Sequence, residues 1–236
     1  MLIPPGWSEI DRIHAQTLAG PAPTLAVTAA SRGDGVTSLA LALARRSAAT
    51  GRRTLLVDLA WHAPAVAART GLVPSAWGAD AVADASTVPA VWWSNHDFGV
   101  LAHSTDPAAL GLRDPAMLRR ALAAWQQVAE RVVIDCSPVL TRNAANMPAE
   151  AVAAAAAGTI LVVKAGTTRT VALEQAVARL TDRGASLLGI VYDDRECPLL
   201  AAELERETRR LDRVLPHPMA WLRRAIRAST LLRQEV

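Results

Sequence analysis

Residues 24–44, TLAVTAASRGDGVTSLALALA, constrain the fold more than any other stretch of the chain. They read as a buried strand, a turn built on Gly33 and Gly35, and a long apolar helix running from about residue 37 to 49, where Gly51 stops it. A strand that enters a helix through glycines aims successive backbone N–H groups and a helix N-terminus at one point. That geometry favours an anion there.

Set against the phosphate-loop pattern G-x-x-x-x-G-K-[ST], Gly35 takes the second glycine, Thr37 the magnesium-binding hydroxyl and Ala30 the first glycine. The lysine position is Val36. Gly33, Asp34, Gly35, Val36, Thr37 and Ser38 therefore either cradle a phosphate through backbone N–H groups or form a tight turn that caps a helix. A lysine beside the terminal phosphates contributes roughly 4 kcal/mol per phosphate charge at about 4 Å and an effective dielectric of about 20. Its loss weakens binding and weakens phosphoryl transfer more. Lys164 is the only lysine in the chain and falls on a different strand, which argues against rescue from within.

The rest of the chain repeats the alternation of strand and helix. A helix over residues 8–18, capped by Ser8, precedes the first strand. Strands follow at 53–58, 97–103, 131–136, 159–164 and 186–192, with helices from Pro115, over 144–157 and over 170–183. This order predicts right-handed βαβ units and an α/β fold: a mostly parallel sheet flanked by helices. Residues 71–97 are the least regular, with Trp92 and Trp93 as half-buried anchors or an interface patch. Two of the strands end in aspartate. Asp58 and Asp135, at the carboxyl ends of neighbouring strands, either hold Mg²⁺ through water or bond to the loop. His62 is a surface residue or a general base, and Cys136 packs.

Composition narrows the function classes. At 236 residues and 51% hydrophobic, the chain supports a sizeable core, and we expect one domain over 1–236: an assembly helix at 8–20, a core at 24–192 and basic helices at 199–236. The net charge of +3 and the lack of a separate arginine-rich tail argue against specific nucleic-acid binding. Two cysteines give no disulfide or metal framework, and residues 1–6 lack the build of a signal peptide, so a cytoplasmic protein is expected. The last helix, over 220–233, sets Leu222 and Ile226 on one face and Arg223, Arg224 and Arg227 on the other. It suits a peripheral contact with an anionic inner-membrane surface or a partner, or packing on the core with solvated arginines.

The order of these parts resembles the deviant-Walker P-loop ATPases that include MinD, ParA and the bacterial tyrosine kinases of polysaccharide export, above all the cytoplasmic domain of the last. The resemblance covers roughly residues 8–192. Glu9 and Arg12 fit part of the E-x-x-R-x-x-R assembly helix, with Ala15 at the second arginine, and so imply oligomerisation. Leu55-Leu56-Val57-Asp58 with Pro64 resembles LLIDADLRRP, and Val133 to Val139 resembles IIDTPPV. Ile160 to Gly166 resembles ILVVRAG, and Leu188 to Asp193 resembles LGVVLN, which puts Asp193 on the adenine side.

The resemblance implies ATP or ADP with Mg²⁺ held by Thr37, Asp58 and Asp135, and a partner at the cytoplasmic face of a membrane polysaccharide co-polymerase or export complex. The departures fall where chemistry would occur. Besides Val36, Ser31 stands at the extra loop lysine of MinD and ParA, Ala60 at the second aspartate, and His62 and Ala63 at the two arginines. Tyr192 is the only tyrosine. The expectation is a non-catalytic or weakly active regulatory or scaffold protein of exopolysaccharide synthesis, with weak or no nucleotide binding. The alternative is an ATP-dependent switch that binds membrane or nucleoid.

Overall fold

The computed structural model describes residues 3–61, 63–93, 97–141, 146–195 and 208. The chain divides into two compact units, Met1–Asp193 and Asp194–Val236. All elements discussed here belong to the first unit. Apart from residue 208, the expected basic helices at 199–236 lie outside the described residues.

Seven strands form one sheet: β1 (Thr24–Ala29), β2 (Thr54–Asp58), β3 (Val91–Trp92), β4 (Phe98–Leu101), β5 (Arg131–Asp135), β6 (Gly158–Lys164) and β7 (Leu187–Asp193). Their spatial order is β3-β4-β2-β5-β1-β6-β7. Every neighbouring pair is parallel except β3 and β4. The central strands are continuous apolar runs because helices cover both faces of the sheet.

The helices are α1 (Ser8–Gln16), α2 (Val36–Ala48), α3 (Val66–Thr70), α4 (Ala79–Val82), α5 (Pro115–Val128), α6 (Ala149–Ala155) and α7 (Thr170–Asp182). Strand periodicity divides the core into two layers. Leu25, Val27 and Ala29 of β1 face α1 and α2, where they join Ile10, Leu39 and Leu43. Ala26 points the other way, into the layer of Leu118, Leu122 and Trp125 from α5, Val152 from α6 and Leu180 from α7. The small side chains Ala40, Ala42 and Ala44 let α2 lie close on the sheet. An ion pair between Arg46 and Asp11 ties α2 to α1.

Three local expectations are corrected. The cap position of α1 is Trp7, and Ser8 is already helical, its hydroxyl donating to the Glu9 carboxylate at 3.1 Å. α6 begins only at Ala149, behind Pro148; proline lacks an N–H and suits a helix entrance rather than an interior. Residues 71–97 contain α4 and the short antiparallel strand β3. α5 opens at Pro115 as expected, after a 3₁₀ turn at Pro107–Arg113; its cap is Asp114, accepting from the N–H groups of Ala116 and Met117 at 2.9 Å each.

The two tryptophans act as anchors. Trp92 lies under the Arg53 guanidinium, 4.2 Å from its carbon, and Trp93 stacks on Phe98 with centroids 5.2 Å apart. Among the described residues no helix is long and apolar enough to cross a membrane.

Candidate functional site

The carboxyl ends of β1, β2 and β5 meet at the middle of the sheet, where open α/β sheets bind ligands. β1 leads into the loop. Gly33 has φ +89° and Gly35, at the cap of α2, has φ +97°. A Cβ on Gly33 would meet nothing within 4 Å, so backbone conformation rather than space requires glycine there. The first N–H groups of α2 stay available for an anion. Val36 opens α2 and is buried in the apolar cluster with Leu39 and Leu25.

Asp34 turns inward from the loop. Its Oδ2 accepts the Ser31 N–H at 3.3 Å, and burial pushes its carboxyl above the usual range. The Ser31 N–H, the Thr168 hydroxyl and the Lys164 charge oppose that rise without outweighing it. Lys164 lies on a different strand, as expected; that strand, β6, is the immediate neighbour of β1, and the lysine charge is felt at Asp34.

Asp58 and Asp135 are register partners on β2 and β5, and both are buried. Their surroundings differ. Asp58 accepts the Ala60 N–H at 3.0 Å on Oδ1 and the Val66 N–H at 3.3 Å on Oδ2, so it holds the turn after β2 and the first residue of α3. Both Asp135 oxygens are buried without a hydrogen-bond partner. Burial, reinforced by the Asp58 charge, pushes the Asp135 carboxyl well up. The Thr37 hydroxyl beside it, outside good hydrogen-bond geometry, and the Arg69 charge pull the other way.

Two residues had not stood out in the sequence. Arg69 of α3 donates through Nη1 to the Ser38 hydroxyl, in the first turn of α2. His103, after β4, brings its buried and unpartnered Nδ1 to 3.9 Å from Asp58 Oδ2. Neither lies in a recognisable motif. Only their position in three dimensions reveals them.

The other candidates are more dispersed. Asp193 ends β7 at the same edge of the sheet, two strands from β1, in register with Lys164. Glu9 and Arg12 are exposed on α1. Cys136 is buried, and burial first of all pushes its thiol well up, leaving it unreactive. His62 and Leu222, Arg223, Arg224, Ile226 and Arg227 lie outside the described residues.

The donors at the loop suit a hard cation and a phosphate. Asp135 offers two unpartnered carboxylate oxygens and Thr37 a hydroxyl, all oxygen ligands of the kind Mg²⁺ takes. Among the described residues no group of three or more His, Cys, Asp or Glu side chains could hold a metal, so water and phosphate oxygens would complete its shell. The deficit is the charge at position 36.

No protein-family model and no curated protein matches the chain. Solved structures do. The chimerical protein CapA2B2 superposes with a TM-score of 0.67 and 18% identity, over 80% of this chain and 86% of that one. The kinase domain of VpsO follows at TM-score 0.63 and 24% identity, covering 73% and 84%. MinD of Pyrococcus horikoshii, solved with Mg-ADP, gives TM-score 0.58 and 17% identity over 72% and 69%. The fold is that of the MinD/ParA-type P-loop ATPases. Within this fold the glycine loop, Asp58 and Asp135 occupy one end of the sheet. MinD holds Mg-ADP, so the fold accommodates that ligand; identities this low transfer architecture and not activity.

Proposed function

We propose that this protein is a non-kinase member of the P-loop ATPase fold that acts as a regulatory or scaffold subunit of exopolysaccharide synthesis and export. The observation that carries the reading is Val36: an apolar, buried side chain stands where phosphoryl transfer needs a cation. A lone tyrosine at a strand end leaves no cluster to autophosphorylate. The similarity to the CapA2B2 structure and the VpsO kinase domain supports a related function, and a membrane polysaccharide co-polymerase is the partner we assign to it. Exposed Glu9 and Arg12 on α1 are the residues we assign to self-assembly, and the basic segment 220–233 is the one we assign to membrane or partner contact.

Incubation with radiolabelled ATP and Mg²⁺ tests the chemistry. We expect neither phosphotyrosine nor phosphate release above background; either product at rates ordinary for kinases refutes the reading. A pull-down on the cytoplasmic segments of a co-polymerase tests the partner, and absence of retention removes it. The second reading, a MinD/ParA-like switch, draws on the unpartnered Asp135 beside Thr37, which suits magnesium. It predicts slow ATP turnover with ATP-dependent dimers.

A further inference from the structure

A cation does enter the loop, from a different element. Arg69 sits on α3, and its guanidinium donates to Ser38 Oγ. Ser38 is buried in the first turn of α2, so the bond puts positive charge beside the helix end that attracts an anion. A guanidinium has five N–H donors in a planar fork suited to phosphate oxygens. The Ser38 contact uses one of its nitrogens, and among the described residues no other hydrogen bond or ion pair engages the group.

The arm that carries it is fixed at both ends. Asp58 accepts the N–H of Val66, the first residue of α3, and Val66 itself is fully buried. Thr70 returns a hydroxyl bond to the Val66 carbonyl at 2.8 Å, and Gly71, at φ +74°, ends the helix with Leu72 N–H bonded to Ala67 O at 3.0 Å. The Arg69 charge acts on Asp135, whose two buried carboxylate oxygens have no hydrogen-bond partner, and Thr37 brings its hydroxyl beside that carboxyl. This end of the sheet thus joins a cation suited to phosphate with a carboxylate suited to a divalent metal.

We propose that Arg69 is the phosphate-gripping residue of this site, supplying from α3 the charge that Val36 withholds from the loop, and that the ligand is a magnesium-bound polyphosphate. This goes beyond the regulatory reading and does not depend on it: binding without turnover satisfies both.

The test is calorimetric titration of the full chain with MgATP and, separately, with magnesium pyrophosphate. Wild type should bind both at micromolar to sub-millimolar concentration. Arg69→Gln should bind at least tenfold more weakly and Arg69→Lys should fall between, with melting temperatures recorded to show that each variant is folded. Equal affinity in wild type and Arg69→Gln overturns the proposal, as does a wild type that binds neither ligand at millimolar concentration. Should Arg69→Gln melt below the assay temperature, Ser38→Ala replaces it. That variant cuts the tether and leaves the charge; a loss of threefold or more supports the assignment, and no loss overturns it. ATP turnover, measured separately, bears on the regulatory reading and leaves the Arg69 comparison intact.

Discussion

Val36→Lys is the most direct perturbation of the loop. Val36 opens α2, so a lysine there would start at the helix N-terminus, the end that attracts an anion. An ammonium about 4 Å from a phosphate oxygen gains roughly 4 kcal/mol at an effective dielectric near 20. Halving this for desolvation leaves about 2 kcal/mol, or about 30-fold in affinity at 1.4 kcal/mol per decade. The substitution also removes a buried valine, which costs up to about 1.5 kcal/mol, partly recovered by the lysine stem lying along the same apolar surface. A fall in melting temperature of about 2–4 °C is therefore expected. Titration with MgATP measures the gain and a thermal melt the cost. If Arg69 already faces the phosphates, Val36→Lys in the Arg69→Gln background should recover most of what that change removes. A folded Val36→Lys protein with unchanged MgATP affinity refutes the charge argument, because the deficit then lies elsewhere in the pocket.

Three further outcomes are expected. Asp135 has a folded-state carboxyl raised by burial, so the unfolded chain releases its proton first; this group's penalty is absent below about pH 3.8 and grows as pH rises toward the folded value. Asp135→Asn should accordingly raise stability at pH 7 by about 1.4 kcal/mol per pKa unit relieved and have little effect near pH 3.5, read from melts without divalent metal at both pH values. Gly99→Ala would put a Cβ 2.6 Å from Trp92 and should cost about 1–3 kcal/mol in denaturant melts. Deleting residues 219–236 should shift the protein from the membrane pellet to the supernatant, and unaltered partitioning would remove the membrane contact assigned to the last helix.

The sheet was legible because its central strands are unbroken apolar runs, and because Gly33 and Gly35 leave few alternatives to a strand–loop–helix unit. The same signals put Asp58 and Asp135 on adjacent strands, where they proved to be register partners. β3 escaped because two residues carry no periodicity, and its pairing depends on Trp92 lying over Gly99. The start of α6 was misread because alanine-rich sequence favours helix on both sides of Pro148. Arg69 was invisible for a deeper reason. Nothing in AVAART shows that a five-residue helix will swing an arginine onto Ser38, since the contact exists only after Asp58 has fixed where that helix begins.

That last bond changes how the acid at position 58 should be judged. With one oxygen on the Ala60 amide and the other on the Val66 amide, Asp58 works as a fastener between the sheet and its outer helix. An aspartate kept for joinery persists whether or not any reaction survives, so its presence at a strand end is no testimony to catalysis. Displacing it would swing α3 and the guanidinium together.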